Sequence, residues 1–436
     1  TGNYTWNDIY LADFSVRFDG SSDFGSKQRW APFFSGGLGV NIHNYEFLKG
    51  NEMVNKLKVR ASYGRTGKAS FPAYAATTMY EALFDEWYAT GFGAVLKALG
   101  NNNLTWEKTD KFNVGIEMQF LNRRLTVDAD YYHDKTIDLV NDVSLSQTSG
   151  FSSYKDNMGE VLNQGFELQV RGEVFRNRDW LVALWGNMAH NKNKILKISD
   201  SQRAYNQRVK EFYENIVNEE YGRYNSKYGV PISQYEEGQS LTSIWAVKSL
   251  GIDPTTGKEI FLNRDGSVSD TWNATQEVAV GNTEPKFNGS IGFNAAYKQW
   301  SLFAAFQYEW GGQEYNQTLV DRVENARIQY QNVDLRVLTD RWKQPGDIAQ
   351  FKDIKNADSA TMPTSRFVQD KAYLRLSALT LSYDFNREWI KKYLGMNMLR
   401  LEASTRDFIN WNSIRQERGL SYPKSWTVDF SIKAQF

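Results

Sequence analysis

The sequence predicts an all-β chain, a transmembrane antiparallel β-barrel of which about twelve strands are present. Three observations predict it. Apolar and polar residues alternate in one segment after another, and the connections between segments run short and long in turn. No apolar run approaches the roughly 18 residues of a membrane-crossing helix. Side chains of a strand alternate faces. A segment of about ten residues with one apolar and one polar face therefore suits a tilted strand between lipid and water.

Taken in order, the candidate strands begin with residues 10–18, 32–42 and 57–63. In 112–120, Phe112, Val114, Ile116 and Met118 fall opposite Asn113, Glu117 and Gln119. In 125–131, Leu125, Val127 and Ala129 fall opposite Thr126, Asp128 and Asp130. Residues 166–174 follow, then 180–188, the least regular segment, which is apolar on both faces at Leu184 and Trp185. Residues 287–297, 300–310, 374–385 and 399–405 come next, with a phase slip at Ala378 and Leu379 where a bulge or strand end is expected. The final segment, 426–436, is the cleanest: Trp426, Val428, Phe430, Ile432, Ala434 and Phe436 on one side, Thr427, Asp429, Ser431, Lys433 and Gln435 on the other.

From this alternation Phe112, Val114, Ile116, Met118, Trp426, Val428, Phe430, Ile432 and Phe436 are expected to face lipid. Arg60, Glu117, Asp128, Glu167, Arg171, Arg400 and Glu402 are expected to face a polar lumen.

Short connections fall at 121–124, 176–179 and 298–299, and moderate ones at 43–56 and 386–396. Long ones fall at 65–105, 136–163, 191–286, 311–371 and 406–424, always at the other parity. A soluble sandwich has no reason to keep that parity, whereas an outer-membrane barrel has short periplasmic turns and long extracellular loops. The long loops are therefore expected at the cell surface and the C-terminal Phe436 at the periplasmic aromatic girdle. Within the loops, 202–235 reads as loop or short helix, and Asp253-Pro254-Thr255-Thr256-Gly257 and Asn263-Arg264-Asp265-Gly266 are turn chemistry flanking a short strand pair.

Composition narrows the function classes. Lys and Arg number 51 and Asp and Glu 51 among 436 residues, so no net field argues for a nucleic-acid partner. Aromatics reach 15%, with 14 Trp and 24 Tyr, which suits membrane interfaces and sugar-stacking surfaces alike. Mean hydropathy is -0.58. In a barrel that average hides the lipid-facing half behind a polar lumen and polar loops. Cysteine is absent, which removes disulfides, thiolate nucleophiles and zinc sites of the usual kind. The chain begins at Thr1 with no charged-then-apolar leader, the pattern expected of a cleaved or truncated chain.

Catalytic chemistry finds no foothold. His43, His133 and His190 share no metal-ligand spacing, and Arg264 stands where a calcium loop would want an oxygen ligand. Gly36-Gly37-Leu38-Gly39 lies inside a predicted strand rather than opening a helix, and no carboxylate pair is singled out by spacing. No enzyme activity, metal or cofactor is expected.

Several stretches carry a family resemblance. Arg17-Phe18-Asp19-Gly20-Ser21-Ser22-Asp23-Phe24-Gly25 resembles an R-x-D-G-S-S-x-F-G segment, and Leu57-Lys58-Val59-Arg60-Ala61-Ser62-Tyr63-Gly64-Arg65-Thr66-Gly67 an L-K-L-R-A-S-Y-G-x-T-G signature. Leu104-Thr105-Trp106-Glu107-Lys108-Thr109 resembles L-x-W-E-x-T, and Asn157-Met158-Gly159-Glu160 with Asn163-Gln164-Gly165-Phe166-Glu167 resembles N-x-G-E-x-x-N-x-G-F-E. Asn191-Lys192-Asn193-Lys194-Ile195 and Tyr373-Leu374-Arg375-Leu376 are similar to N-K-N-K-I and Y-L-R-L. Together, in order, they resemble the SusC/RagA-like TonB-dependent outer-membrane transporters of Bacteroidota.

The resemblance implies a barrel of about 22 strands, a plug inside it, and a SusD-like surface lipoprotein as lid. This chain would be the C-terminal portion of that barrel over residues 1–436, with signal peptide, TonB-contacting segment, plug and remaining strands upstream. The implied function is TonB-energised import of glycan or peptide oligomers. The alternative is a self-contained outer-membrane binding barrel or adhesin without transport. Tyr74, Tyr80, Trp87, Tyr88, Phe151 and Tyr154 are candidates for substrate or lid contact, against the plainer role of folding the loops on themselves.

Overall fold

The computed structural model describes residues 1–21, 29–69, 76–88, 91–101, 103–144, 153–157, 159–218, 231–326, 328, 333–356, 361–385, 387–415 and 425–436. Its main feature is a 14-stranded antiparallel sheet. In chain order the strands are β1 (Gly2–Trp6), β2 (Tyr10–Gly20), β3 (Trp30–Asn41), β4 (Val54–Lys68), β5 (Glu107–Phe120), β6 (Leu125–Ile137) and β7 (Gly159–Arg176). They continue as β8 (Trp180–Ile198), β9 (Phe287–Tyr297), β10 (Trp300–Tyr315), β11 (Val368–Asp384), β12 (Met398–Thr405) and β13 (Val428–Gln435). Each pairs with the next, and the short strand Asn410–Asn412 pairs with β11 beyond β12. All twelve segments predicted from alternation are strands of this sheet.

Two strands are additional, β1 and Asn410–Asn412. The first strand read from alternation, 10–18, has β1 as its neighbour, in register from Trp6↔Tyr10 to Gly2↔Phe14. At five residues β1 is too short to show a period. Among the described residues β1 and β13 are the two ends of the sheet, which does not close on itself.

The expected phase slip in β11 is a bulge at Ser377: Ala305 opposes Ala378 while Phe306 opposes Leu376, and the Ser377 hydroxyl donates to the Ala305 carbonyl at 2.9 Å. Gly311 is the extra residue of a second bulge, with φ of 81°, a conformation that favours glycine.

Two rows of rings bracket an apolar band on one face. Near the short turns Trp180 and Tyr297 lie 4.4 Å apart, and Trp300 and Tyr383 4.8 Å. Near the long connections the row runs Phe166–His190 at 5.4 Å, His190–Phe287 at 5.5 Å and Phe287–Trp310 at 6.2 Å. From Trp180 to His190, Tyr297 to Phe287 and Trp300 to Trp310 the interval is about ten residues, the length of a tilted strand crossing a bilayer. Beyond the second row β7 and β8 run on, reaching 18 and 19 residues in all. There the band ends, and ion pairs such as Arg65–Asp110 at 2.6 Å and Lys135–Glu160 at 2.7 Å take over.

The long connections fold into a layer of their own. Residues 202–235 were expected as loop or short helix; the structure places α1 at Asp200–Asn218. Instead of a strand pair, Lys248–Ile252, Glu259–Leu262 and Val268–Ser269 make a three-stranded sheet. Its core is Val247, Phe261, Trp272 and Ala274, with Tyr205, Ile232 and Met362 against it. A second core gathers Leu319, Val320, Val323, Ala326, Val337, Phe351 and Phe367. Residues 79–98, expected as loop, form the hairpin Met79–Tyr88 and Gly91–Ala98.

Candidate functional site

The polar face carries a charge ladder across β4, β5 and β6. Lys56, Lys58 and Arg60 share one face of β4 because they are two residues apart. Glu117 on β5 sits among them: Lys56 Nζ lies 2.5 Å from Oε2, Lys58 Nζ 3.7 Å and Arg60 Nε 3.6 Å from Oε1. Arg60 then reaches over Gly115 to Asp130 on β6, with Nη2 2.7 Å and 2.9 Å from the two carboxylate oxygens. Gly115 makes that reach possible, since a Cβ there would sit 2.4 Å from Asp130 Oδ1 and 2.7 Å from Arg60 Nε.

Past Asp130 the wall turns acidic. Glu167 on β7 is in register with Asp130, and Gln169 with Asp128, so three carboxylates crowd one patch. Directly opposed like charges repel, which leaves this patch favourable ground for a cation or hydrogen-bond donor. The patch opens on a cavity of about 500 Å³ whose lining includes Asp128, Glu167, Gln169, Asn187, Gln307 and Glu309. Further round, Arg400 holds Asp384 at 2.5 Å and Lys433 holds Glu402 at 2.9 Å.

Above the wall, the 199–286 and 316–367 connections are joined by a buried ion triad. Arg366 Nη2 lies 2.8 Å from Glu259 and 2.7 Å from Glu324, whose side chain is fully buried. Burial pulls the Arg366 pKa down, but Glu324 and Glu259 outweigh it and hold it above its ordinary value. Arg341 donates to the backbone carbonyls of Lys352, Val323 and Glu324. Burial lowers the Lys352 ammonium to about 8. Burial also pushes the Glu277 carboxyl up to about 7, against the opposing hydrogen bond from Gln234. The Asp253 and Asp265 segments are turns: Asp253 Oδ1 accepts from the Thr255 amide at 2.9 Å and Asp265 Oδ1 from that of Ser267 at 2.9 Å.

The predicted face residues fall as follows. Arg60, Glu117, Asp128, Glu167 and Arg171 share the polar face, Arg171 in register with Thr126 and Trp185. Arg400 and Glu402 share it at β12. Phe112, Val114, Ile116 and Met118 lie on the opposite face, in register with Tyr63, Ala61, Val59 and Leu57. Val428, Phe430 and Ile432 oppose Thr405, Ala403 and Leu401, and the Trp426 ring lies 5.1 Å from that of Phe408. Phe436 is exposed.

Of the loop aromatics, Tyr80 is an exposed residue of the 79–98 hairpin, which also contains Trp87 and Tyr88, and Tyr154 belongs to the Ser153–Asn157 strand. Tyr74 and Phe151 lie outside the described residues. Reading the sequence singled out neither Lys56 nor Lys58, though their parity with Arg60 is visible in it. Nothing local marks Glu259, Glu324 and Arg366 as partners.

A polar wall, an apolar band between two aromatic rows and a loop layer at one rim define an outer-membrane β-barrel. The chain belongs to the family described as TonB dependent receptor-like, beta-barrel, which it matches over residues 1–404. A TonB-dependent receptor of Formosa agariphila is 27% identical over 94% of this chain and 40% of its own length. TonB-dependent receptor SusC of Bacteroides thetaiotaomicron is 33% identical over 45% of the chain and 20% of its own length. The RagAB peptide importer in its closed-closed state superposes with a TM-score of 0.80 at 24% identity, over 100% of this chain and 47% of that one. The chain thus spans less than half the length of these relatives.

Proposed function

We propose that the polar face lines the lumen of a TonB-energised importer of glycan or peptide oligomers. The single observation that carries this reading is the charged wall: Lys56, Lys58, Arg60, Glu117, Asp130 and Glu167 share one face of a sheet whose other face is apolar. A wall so charged needs water or a polar occupant, and a plug supplied by another part of the protein fits that need. The long connections stand at the cell surface, where a SusD-like lipoprotein closes over them, and the short turns stand in the periplasm. Trapping cargo under the lid and pulling the plug inward completes one import cycle. In this reading the exposed Tyr80 and the 79–98 hairpin that carries it meet cargo or lid. A stand-alone adhesin barrel is less favoured, because β1 and β13 do not pair with one another.

The test uses the intact transporter in cells. Uptake of labelled oligopeptide and oligosaccharide pools is measured with the proton gradient intact and collapsed, and ligand co-purifying with the complex is identified by mass spectrometry. Import of one pool that stops when the gradient collapses is expected. Surface binding with no gradient-dependent import would move the assignment to the adhesin class.

A further inference from the structure

The connection between β11 and β12 contains an α-helix of two turns, α2 (Arg387–Leu394), where the β3–β4 connection has only the single 3-10 turn Ile42–Asn44. At about 100° per residue, Trp389, Tyr393, Ile390 and Leu394 occupy one arc of roughly 140°. Arg387, Lys391, Glu388 and Lys392 fill the rest of the circumference. Ile390 is buried at 1% exposure and seats the helix on the barrel rim, but Trp389 and Tyr393 remain 48% and 63% exposed. In water alone that exposure has no compensation.

Those rings continue the aromatic row of the short-turn rim. From Trp300 the contacts run to Tyr383 at 4.8 Å, to Phe385 at 5.0 Å, to Trp389 at 6.1 Å and to Tyr393 at 5.8 Å. The girdle therefore leaves the sheet and climbs onto the helix. Two lysines flank it in the same way: Lys392 Nζ stands 5.3 Å from the Tyr393 ring centre and Lys298 Nζ 5.3 Å from that of Tyr297. Neither has an acidic partner among the described residues. A short amphipathic helix with Trp and Tyr on its apolar flank and lysines beside them matches a segment lying in the membrane interface.

We propose that α2 is an interfacial helix resting in the leaflet at the short-turn rim, and that Lys392 and Lys298 hold the anionic headgroups of its phospholipids. The rings sit at the boundary of headgroup and acyl chain, and the two stems carry the ammoniums outward to the phosphates. The helix thus fixes the height of the barrel in that leaflet. This inference rests on the reading that the apolar face meets lipid.

Two measurements on the intact transporter in nanodiscs test it. A bimane label at Y393C is expected to be quenched by brominated lipid at a depth of about 5–10 Å below the headgroup plane and to resist iodide. A label at F430C reports the face reading separately. Quenching at F430C without quenching at Y393C would overturn the interfacial helix and leave the face reading standing; no lipid quenching at either site would overturn both. In the second measurement, exchanging zwitterionic for phosphatidylglycerol-containing nanodiscs is expected to raise the wild-type Tm. The K298Q/K392Q double variant should lose that rise, while K258Q in the loop layer should keep it. An equal rise in all three proteins would overturn the headgroup assignment.

Discussion

Arg60 and Asp130 are joined across an intervening strand, their side chains meeting over the bare backbone of Gly115 at 2.7 Å. Arg60 is 43% exposed, so solvent screens the pair and its coupling is expected at about 0.5–1 kcal/mol. A double-mutant cycle with Arg60→Met and Asp130→Asn, read from heat unfolding of the detergent-solubilised transporter, measures it. Gly115→Val should abolish the coupling by displacing both ends. An unchanged coupling in that background would show that the glycine is not what permits the contact.

The two faces of β13 make opposite demands. Phe430→Arg is expected to destabilise the barrel by about 2–4 kcal/mol if the residue lies near the bilayer midplane, whereas Ser431→Arg enters a polar lumen and is tolerated. Equal assembly of both variants in outer membranes would reverse the face assignment.

The loop layer should depend on its ion triad. Arg366→Met leaves Glu259 and the fully buried Glu324 without their cation, a loss of about 3–5 kcal/mol for a broken buried pair. The expected result is rapid tryptic cleavage within residues 231–367 while the sheet keeps its heat resistance. Cleavage at the wild-type rate would remove the triad from the account of the layer's stability.

Glu277 gives the same layer a pH dependence. Its carboxyl titrates near 7 in the folded protein, raised by burial above the ordinary carboxylate value. A raised folded pKa means that the contribution is complete below the unfolded value and is lost as pH rises through about 7. Protection of the amides around Gln234 and Glu277, corrected for intrinsic exchange, should therefore fall as pH rises from about 5 to about 7, by roughly 2–3 kcal/mol, and level off above that. Glu277→Gln should flatten that slope, and a slope that survives the substitution belongs to another group.

Topology is open to labelling because the chain has no cysteine of its own. A maleimide applied to intact cells should reach G91C in the 79–98 hairpin and miss R123C in the β5–β6 turn. The reverse pattern would invert the barrel.

The strands were legible because a sheet between lipid and water must alternate, and that demand acts on every residue of Val428–Gln435. Where the demand lapses, legibility lapses too. The outer reaches of β7 and β8 lie beyond the band: Lys192 and Lys194 are exposed, Asn193 is held by Asn163 and Ser240, and Ile195 and Ile198 pack against Tyr235 and Leu241, so the stretch carries no lipid–water period and reads as loop. The loop layer is held by residues far apart in sequence: Arg366 meets Glu259 across 107 positions. No local window contains both. The polar wall was partly legible, as Arg60 and Glu117 were singled out while Asp130 was seen as a polar position but not as the partner of Arg60.

The stitching between the two long connections has a consequence for how such proteins diversify. Beyond the triad, Val247 and Ser365 exchange backbone bonds with Pro363 and Val247, the Trp272 indole donates to the Pro363 carbonyl, and that of Trp342 to the Pro254 carbonyl. Each connection lends the other a buried partner: Met362 packs on the core of Val247, Phe261 and Trp272, and Glu259 holds Arg366. Neither can be grafted alone into a relative without stranding a carboxylate or opening a core. The heritable module at this rim is the pair, and recombination that preserves folding has to carry both stretches together, separated though they are by the hairpin of β9 and β10.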